Sequence, residues 1–263
     1  MLLEDAKVLS RERLKGDYFF LRLRAPGIAA GAAPGQFVHL RVPALEATAL
    51  RRPFSICDAD VKTGSLDILY KEVGRGTRAM DALREGDSVN LMGPLGNTFP
   101  MPRADETPVF VAGGFGVAPL LFLAKRFKAI QEAQGGVRKP MSLLVGGRSA
   151  EDILLADEFA QIGVATSICT DDGSLGEKGF VTVALDKRLD EKGLVLYCCG
   201  PDALLRAVDE RAQARGLSAW LSLDRRMGCA VGACLGCVVK MKRERMLRVC
   251  KDGPVFGSGT VEW

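Results

Sequence analysis

Four cysteines near the C-terminus constrain this 263-residue chain more than any other feature of its sequence. They are Cys229, Cys234, Cys237 and Cys250. Their pattern, C-x4-C-x2-C-x12-C, has the plant-type spacing of a 2Fe-2S cluster, in which three ligands come from one tight loop and the fourth from farther along the chain. Glycines within the loop let its backbone wrap closely, so that amide N–H groups can point at sulfur. The pattern predicts a cluster held by these four thiolates.

A zinc site and disulfides are the alternative uses of such cysteines. Structural zinc normally pairs one C-x2-C with a second C-x2-C or with two histidines, but the chain has one histidine and its fourth Cys stands alone. Disulfides would accompany a secretory signal, whereas residues 1–7 have no apolar core. The spacing favours the iron-sulfur cluster. At most of the other four cysteines we expect buried free thiols. These are Cys57, Cys169, Cys198 and Cys199.

Composition and charge narrow the class of protein. The chain is 48% hydrophobic and 26% charged, as globular proteins are, and no apolar run reaches the length that spans a bilayer. The net charge is +4, with lysines and arginines spread along the chain, so nucleic-acid binding is not indicated. The densest charged run, residues 240–245, alternates like one edge hairpin with its charges in solvent. We expect a cytoplasmic protein.

Two different patterns of apolar residues precede the cysteine loop. Short alternating segments at residues 17–24, 35–42 and 87–92 are typical of a small antiparallel barrel. From about Pro108, apolar strands alternate with helices, which predicts a doubly wound parallel sheet. We expect a multi-domain β + α/β fold in three parts. These are an antiparallel β-barrel over residues 1–102, an α/β domain over 103–220 and a small cluster domain over 221–263.

The single histidine, His39, alternates with Phe37 on a predicted strand of the barrel. We expect its side chain to face outward or to be partly covered. A Ser-His-Asp triad would depend on this one residue, and the sequence does not indicate one.

A glycine-rich turn follows the first strand of the α/β region. Its sequence is Gly113-Gly114-Phe115-Gly116-Val117-Ala118-Pro119. Between a strand and a helix, such a turn presents backbone N–H groups and the positive helix end to a pyrophosphate. Tight strand-to-helix turns also need glycine for steric reasons, the full G-x-G-x-x-G is absent, and no acidic residue stands at the usual ribose spacing. The motif indicates a relative of the dinucleotide-binding fold.

Another turn, Cys199-Gly200-Pro201, follows a later strand. Glycine and proline there could simply end a strand and start a helix. The C-terminal end of a parallel strand is also where ligands bind in such sheets.

Two segments of the barrel could bind phosphate. Residues 51–57 place arginine, proline and serine on one strand, and Gly74-Arg75-Gly76-Thr77 precedes a short helical stretch that we expect Thr77 to cap. Arginine would contribute charge-assisted hydrogen bonds. Gly76 and Thr77 would contribute free backbone amides at the start of a helix. An ordinary strand-turn-helix with a capping threonine explains each segment equally well.

The chain resembles the ferredoxin-NADP reductase superfamily in the order of its three motifs, which are R-P-F-S in the barrel, then G-G-F-G-V-A-P, then C-G-P. The resemblance covers essentially the whole chain. With the cysteine tail, the chain resembles the electron-transfer subunits of NAD-dependent class 1B bacterial dihydroorotate dehydrogenases. The resemblance implies that the barrel binds FAD, that the second domain binds NAD, and that the four cysteines ligate a 2Fe-2S cluster. The implied FAD contacts are Arg52, Pro53, Phe54, Ser55, Leu69, Tyr70, Lys71, Gly76 and Thr77. The implied NAD contacts are Gly113, Gly114, Gly116, Cys199, Gly200 and Pro201, with Cys199 near the nicotinamide.

The resemblance further implies a partner. In such enzymes a separate FMN-containing subunit oxidises dihydroorotate to orotate for pyrimidine (UMP) biosynthesis, and electrons cross the cluster to FAD and then to NAD. We expect a heterotetramer with two copies of each subunit, docked at the apolar loop that contains Leu235. A nicotinamide exchanges two electrons at once and a cluster exchanges one, whereas a flavin can do both. FAD is therefore expected between the cluster and NAD in the path of the electrons.

Other functions stay open. The small subunit of an NADH-dependent ferredoxin:NADP oxidoreductase or sulfide dehydrogenase has a similar organisation, although those relatives commonly replace one cluster Cys by Asp. A redox sensor that uses its cluster without turnover is a third hypothesis. NAD and NADP are not distinguished, since Arg148 and Ser149 could meet a 2′-phosphate or simply lie at a strand end.

Overall fold

The computed structural model describes residues 1–42, 50–135 and 139–263. The N-terminal part is a closed antiparallel barrel with the strand order β1-β2-β5-β4-β3-β6. Its strands are β1 (Leu2–Lys15), β2 (Tyr18–Arg24), β3 (Phe37–Leu40), β4 (Arg52–Asp60), β5 (Ser65–Lys71) and β6 (Ser88–Leu95). Helices α1 (Pro26–Gly31) and α2 (Arg75–Ala79) connect them. Inward-facing residues of β2 and β6 alternate with exposed or half-buried ones, so the period-2 prediction of a barrel is confirmed.

The second part is a seven-stranded sheet in the order β10-β9-β8-β7-β11-β12-β15. Its strands are β7 (Thr107–Gly113), β8 (Ser142–Gly147), β9 (Ala165–Thr170), β10 (Glu177–Lys178), β11 (Leu194–Cys199), β12 (Ser218–Ser222) and β15 (Val255–Gly257). Its helices are α3 (Val117–Gln134), α4 (Ala156–Gln161), α5 (Val181–Asp186) and α6 (Asp202–Arg215). Every neighbouring pair is parallel except β12 and β15, which confirms the doubly wound sheet. Strand β11 is buried along its whole length, as a central parallel strand should be.

The C-terminal part contains the cysteine loop and a hairpin of β13 (Val238–Met241) and β14 (Arg245–Arg248), as the charged run predicts. The chain then returns through β15 to the edge of the parallel sheet. Buried Asp209 on α6 accepts hydrogen bonds from the Gly259 N–H and from Trp263 Nε1, both at 2.7 Å. These bonds tie the last residues of the chain to the second domain.

The predicted environment of His39 is wrong, because its side chain is fully buried. Strand β3 lies between β4 and β6, and Phe37, which alternates with His39 on it, belongs to the same apolar core as Cys237 and Val249. The C-terminal part therefore covers this outer face of the barrel. Neither ring nitrogen of His39 has a hydrogen-bond partner among the described residues, and burial lowers its pKa to about 4.

The apolar helices of this fold are too short or too polar to cross a bilayer, as far as the described residues show.

Candidate redox site

Two cavities lie next to each other at the junction of the three parts. The sheet cavity, of about 810 Å³, opens at the C-terminal ends of β7, β8 and β11 and is lined by the glycine turns. The barrel cavity, of about 630 Å³, lies between β4, β5 and the segment that leads into the cysteine loop. Both volumes are in the range of ligand and cofactor sites.

All six residues predicted from the two turns of the sheet domain line the sheet cavity. The turns also pack directly on each other: a Cβ atom on Gly116 would lie 2.3 Å from the carbonyl oxygen of Cys199, and one on Gly113 would lie 2.8 Å from Cδ of Pro201. The two glycines are therefore required by the contact between β7–α3 and β11–α6, whatever binds beside them.

Eight of the nine residues predicted for the barrel line the barrel cavity, and the exception is Gly76. The guanidinium of Arg52, which lines the cavity, packs directly on Gly76: a Cβ atom at residue 76 would lie 2.4 Å from Nε of Arg52. The predicted cap at Thr77 is wrong in position: the helix starts at Arg75, and Thr77 lies inside its first turn. Its Oγ1 reaches back and accepts hydrogen bonds from the N–H groups of Val73 and Gly74 at 2.9 and 3.2 Å.

The two cavities share a boundary. Six residues line both of them, namely Lys71, Phe115, Gly116, Cys199, Asp224 and Arg225. Burial raises the pKa of Cys199 to about 12, and Ser222 gives its thiol a hydrogen-bond partner. Sequence reasoning missed Asp224, since one acidic residue after a short strand has no recognisable pattern. A ligand in one cavity would thus lie beside a ligand in the other.

A polar network joins the barrel to the sheet domain at this boundary. The hydroxyl of Tyr18 donates to Oδ1 of Asp152 at 2.6 Å and accepts from Nζ of Lys71 at 3.1 Å. Burial opposes the charge on Asp152, but the hydrogen bonds from Tyr18 and from the backbone of Arg148 outweigh it and keep its pKa below the usual value. The pKa of Tyr18 is raised by burial and by Asp152. The network fixes Lys71, which lines both cavities.

Backbone N–H groups surround the sulfurs of the cysteine loop. Sγ of Cys229 accepts from the amides of Ala233 and Cys234 at 3.3 and 3.4 Å, and Sγ of Cys237 accepts from the amide of Cys250 at 3.4 Å. The hydrogen bond from the Cys234 amide is the main cause that lowers the pKa of Cys229 to about 6. Such bonds stabilise thiolate, the form that ligates metal.

The thiols occur as two pairs, in which Cys229 contacts Cys234 and Cys237 contacts Cys250. All eight cysteines are free, and the four outside the loop are buried, as expected. Nowhere in residues 1–42, 50–135 and 139–263 do three His, Cys, Asp or Glu side chains converge as a single metal ion would require. Two pairs of thiols suit two irons with two protein ligands each. The donor set therefore fits a 2Fe-2S cluster.

The loop has one polar contact and two exposed apolar side chains. Arg248 donates to the carbonyl of Gly232 at 3.3 Å while it pairs with Asp252 at 2.9 Å. Leu235 is 61% exposed with a left-handed backbone (φ 57°), and Val231 is 39% exposed. The loop thus presents small apolar side chains to solvent close to its thiols.

Three protein-family models match the chain in the order of its three parts. An oxidoreductase FAD-binding domain matches residues 5–99, an oxidoreductase NAD-binding domain matches residues 110–210, and the iron-sulfur cluster binding domain of dihydroorotate dehydrogenase B matches residues 224–262. The protein thus has an FAD-binding barrel, an NAD-binding α/β domain and a C-terminal cluster-binding domain.

Curated relatives and solved structures agree with these matches. An electron transfer subunit of dihydroorotate dehydrogenase B (NAD(+)) from Desulforamulus reducens is 37% identical over 98% of each chain. One from Geobacillus kaustophilus is 44% identical over 87% of this chain and 86% of the relative. A chain of the solved NADH-dependent reduced ferredoxin-NADP oxidoreductase superposes with a TM-score of 0.85 at 28% identity, covering 98% of this chain and 90% of that one. On this evidence the chain belongs to the family of dihydroorotate dehydrogenase B electron transfer subunits.

Proposed function

We propose that the protein carries electrons from a dihydroorotate-oxidising catalytic subunit to NAD, through its own 2Fe-2S cluster and FAD. The observation that supports this most is the shared boundary of the two cavities, because a flavin bound in one and a nicotinamide bound in the other would lie side by side. A bound flavin supplies the conversion between single electrons and hydride. The tasks of the protein are to bind the flavin and the nicotinamide, to orient them and to exclude water from them.

FAD would occupy the barrel cavity. In this proposal the guanidinium of Arg52 binds the pyrophosphate, together with the amides of Gly76 and Thr77. Arg52 packs against Gly76, where a side chain would clash with it. The other contacts are Pro53, Phe54, Ser55, Leu69, Tyr70 and Lys71. Tyr70 is held by the Arg11 guanidinium, whose Nε donates to its hydroxyl at 2.8 Å, and its ring stacks on Phe19 at 5.5 Å between centroids. A preorganised wall of this kind limits the motion of a bound ring system.

NAD would occupy the sheet cavity. Its pyrophosphate would lie against Gly113, Gly114 and Gly116, at the start of the 18-residue helix α3. Its nicotinamide would lie towards Cys199, Gly200 and Pro201, where the sheet cavity meets the barrel cavity. The thiol of Cys199 keeps its proton at neutral pH because burial raises its pKa to about 12. We therefore assign Cys199 a packing contact with the nicotinamide and no acid–base step.

The cluster would be held by Cys229, Cys234, Cys237 and Cys250, with the exposed loop around Leu235 as the docking face for the partner. The partner in this proposal is an FMN-containing catalytic subunit, and the assembly is a heterotetramer with two copies of each chain. Single electrons would enter or leave through the loop, because its small apolar side chains let a partner approach the thiols.

Reconstitution tests the proposal. The purified protein is combined with an FMN-containing dihydroorotate dehydrogenase subunit, and NAD reduction is followed after dihydroorotate is added. The expected result is NAD reduction that requires both chains and is lost in Cys250→Ser. The matched control Cys169→Ser changes a buried cysteine outside the loop and should keep the activity. Reduction by the catalytic subunit alone, or full activity of Cys250→Ser, would refute the proposed route.

A further inference from the structure

The boundary between the two cavities has to handle protons as well as electrons. Hydride transfer moves two electrons together with one hydrogen nucleus, whereas an iron-sulfur cluster passes electrons one at a time and without protons. For each NAD reduced with electrons from the cluster, one proton must therefore enter the flavin site by another route. For each NADH oxidised in the opposite direction, one proton must leave it.

Four of the six residues at the boundary carry titratable groups, namely Lys71, Cys199, Asp224 and Arg225. Arginine does not lose its proton in proteins. The ammonium of Lys71 is engaged by Tyr18 at 3.1 Å and by Asp152 at 3.5 Å. Burial raises the pKa of Cys199 to about 12, so this thiol does not exchange its proton at neutral pH. Asp224 is left as the group that can give and take a proton there.

The environment of Asp224 suits this task. Asp224 lines both cavities and its side chain is exposed there, so a ligand in either cavity can reach its carboxyl group. Desolvation by the protein around it is the main cause that raises its pKa, and nearby Asp202 adds to the rise, while the charge and backbone N–H of Arg225 oppose it. A carboxyl group whose pKa moves towards neutrality is a better general acid and base at neutral pH.

A connection to solvent lies next to Asp224. Asp202, at the start of α6, has a side chain that is 60% exposed. Nη1 of Arg225 donates to Oδ1 of Asp202 and to the backbone oxygen of Asp224, both at 2.7 Å, so one guanidinium links Asp202 to the backbone of Asp224. The titratable and charged groups that face Asp224 are thus Cys199 from β11, Asp202 from α6 and its neighbour Arg225.

We propose that Asp224 is the proton-transfer residue of the flavin site, an inference that rests on the proposed function. In NAD reduction, the O–H bond of its carboxyl group would break and its proton would pass to a flavin held in the barrel cavity, to which the cluster supplies two electrons. The proton and both electrons would then leave together as hydride to NAD. Water would restore the proton to Asp224 directly, because its side chain is exposed where the cavities meet. In NADH oxidation the same transfers run in reverse and release one proton.

The test compares two half-reactions in the protein loaded with FAD and cluster. Asp224→Asn removes the exchangeable proton at constant size, and Asp224→Glu restores it. Asp190→Asn is the matched control, because its side chain is 91% exposed and pairs with Arg215 outside both cavities. Reduction of the flavin by NADH delivers hydride and needs no separate proton. Its rate should therefore be unchanged in Asp190→Asn and should fall far less in Asp224→Asn than the rate of electron passage. Electron passage from the reduced flavin through the cluster to a one-electron acceptor should slow about 100-fold in Asp224→Asn only.

Infrared difference spectra, reduced minus oxidised, give a readout that does not depend on turnover. We expect a carboxyl carbonyl band in the wild-type protein and in Asp190→Asn, a shifted band in Asp224→Glu and none in Asp224→Asn. An unchanged electron-passage rate in Asp224→Asn would overturn the inference, and so would equal slowing of both half-reactions or a persisting band. Failure of the proposed function is separate, since the wild-type flavin would then not be reduced by NADH.

Discussion

Asn97 and Val255 exchange two hydrogen bonds across the junction of the barrel and the cluster-bearing part. Nδ2 of Asn97 donates to the carbonyl of Val255 at 2.8 Å, and the N–H of Val255 donates to Oδ1 of Asn97 at 2.9 Å. The same Nδ2 also reaches the carbonyl of Asp252 at 3.2 Å. One side chain at the end of the barrel therefore fixes the segment that directly follows Cys250, and with it the position of the cysteine loop relative to the barrel cavity.

Asn97→Ala should loosen this junction. It leaves backbone groups of residues 252–255 without their partner, which should cost about 1–3 kcal/mol. We expect a lower melting temperature and faster loss of cluster absorbance in urea, with FAD retained longer than the cluster. Asn97→Asp keeps the acceptor for the Val255 N–H, so its melting temperature and its rate of cluster loss should lie between those of the wild type and of Asn97→Ala. Cluster loss at the wild-type rate in Asn97→Ala would show that the junction is held by other contacts.

Gly116→Ala should damage the proposed NAD site. The new methyl group would lie 2.3 Å from the backbone oxygen of Cys199, so one of the two turns has to move. We expect NADH to bind at least about tenfold more weakly, a loss of about 1.4 kcal/mol, while the cluster spectrum stays as in the wild type. Gly31→Ala is the control, because its methyl group would meet Pro94 at an ordinary 3.7 Å. Wild-type NADH affinity in Gly116→Ala would contradict the packing argument.

The parts of the fold that repeat locally could be predicted from the sequence. Alternation predicted strands at β2 and β6, and helical spacing predicted a helix from Val117 to Ala133, which the structure has as α3 (Val117–Gln134). Cysteine spacing selected the four thiols that we propose as cluster ligands. The edge strand β15 could not be predicted, since three residues carry no periodicity and its antiparallel pairing with β12 depends on tertiary contact.

The candidate site was predictable only where one stretch of chain carries the chemistry. The glycine turns and R-P-F-S are continuous motifs, and they line the cavities. The Tyr18–Asp152 pair is separated by 134 residues, and Asp224 becomes significant only because two cavities meet at it. The burial of His39 likewise depends on a part of the chain some two hundred residues away.

Acid should weaken the link between the barrel and the sheet domain. The pKa of Asp152 is lowered in the folded protein, so its charge contributes stability that is complete above the ordinary pKa of an aspartate, near 4, and is lost as the pH falls through the lower folded value. Asp152→Asn should therefore cost about 1 kcal/mol at pH 7 and much less at pH 3. Melting curves across this range check the prediction, and an equal loss at both pH values would contradict it.

A charge on the exposed loop should block the partner without harming the cluster. In Leu235→Glu the new carboxylate lies on a side chain that is 61% exposed, so the cluster spectrum should be retained while electron transfer to the catalytic subunit slows at least about tenfold. Val61→Glu, at a 57% exposed position on the β4–β5 turn, is the control and should transfer electrons normally. A Leu235→Glu protein with its cluster and a normal transfer rate would rule out docking at this loop.

Electron flow from NADH through FAD to the cluster is tested most directly by adding NADH to the purified protein under anaerobic conditions and following the cluster by electron paramagnetic resonance. We expect the visible flavin absorbance to bleach and the signal of a reduced 2Fe-2S cluster to appear. Protein stripped of FAD should give no signal, because electrons from the nicotinamide reach the cluster only through the flavin. A cluster that NADH reduces equally well without FAD, or a flavin that NADH leaves oxidised, would contradict this order of electron transfer.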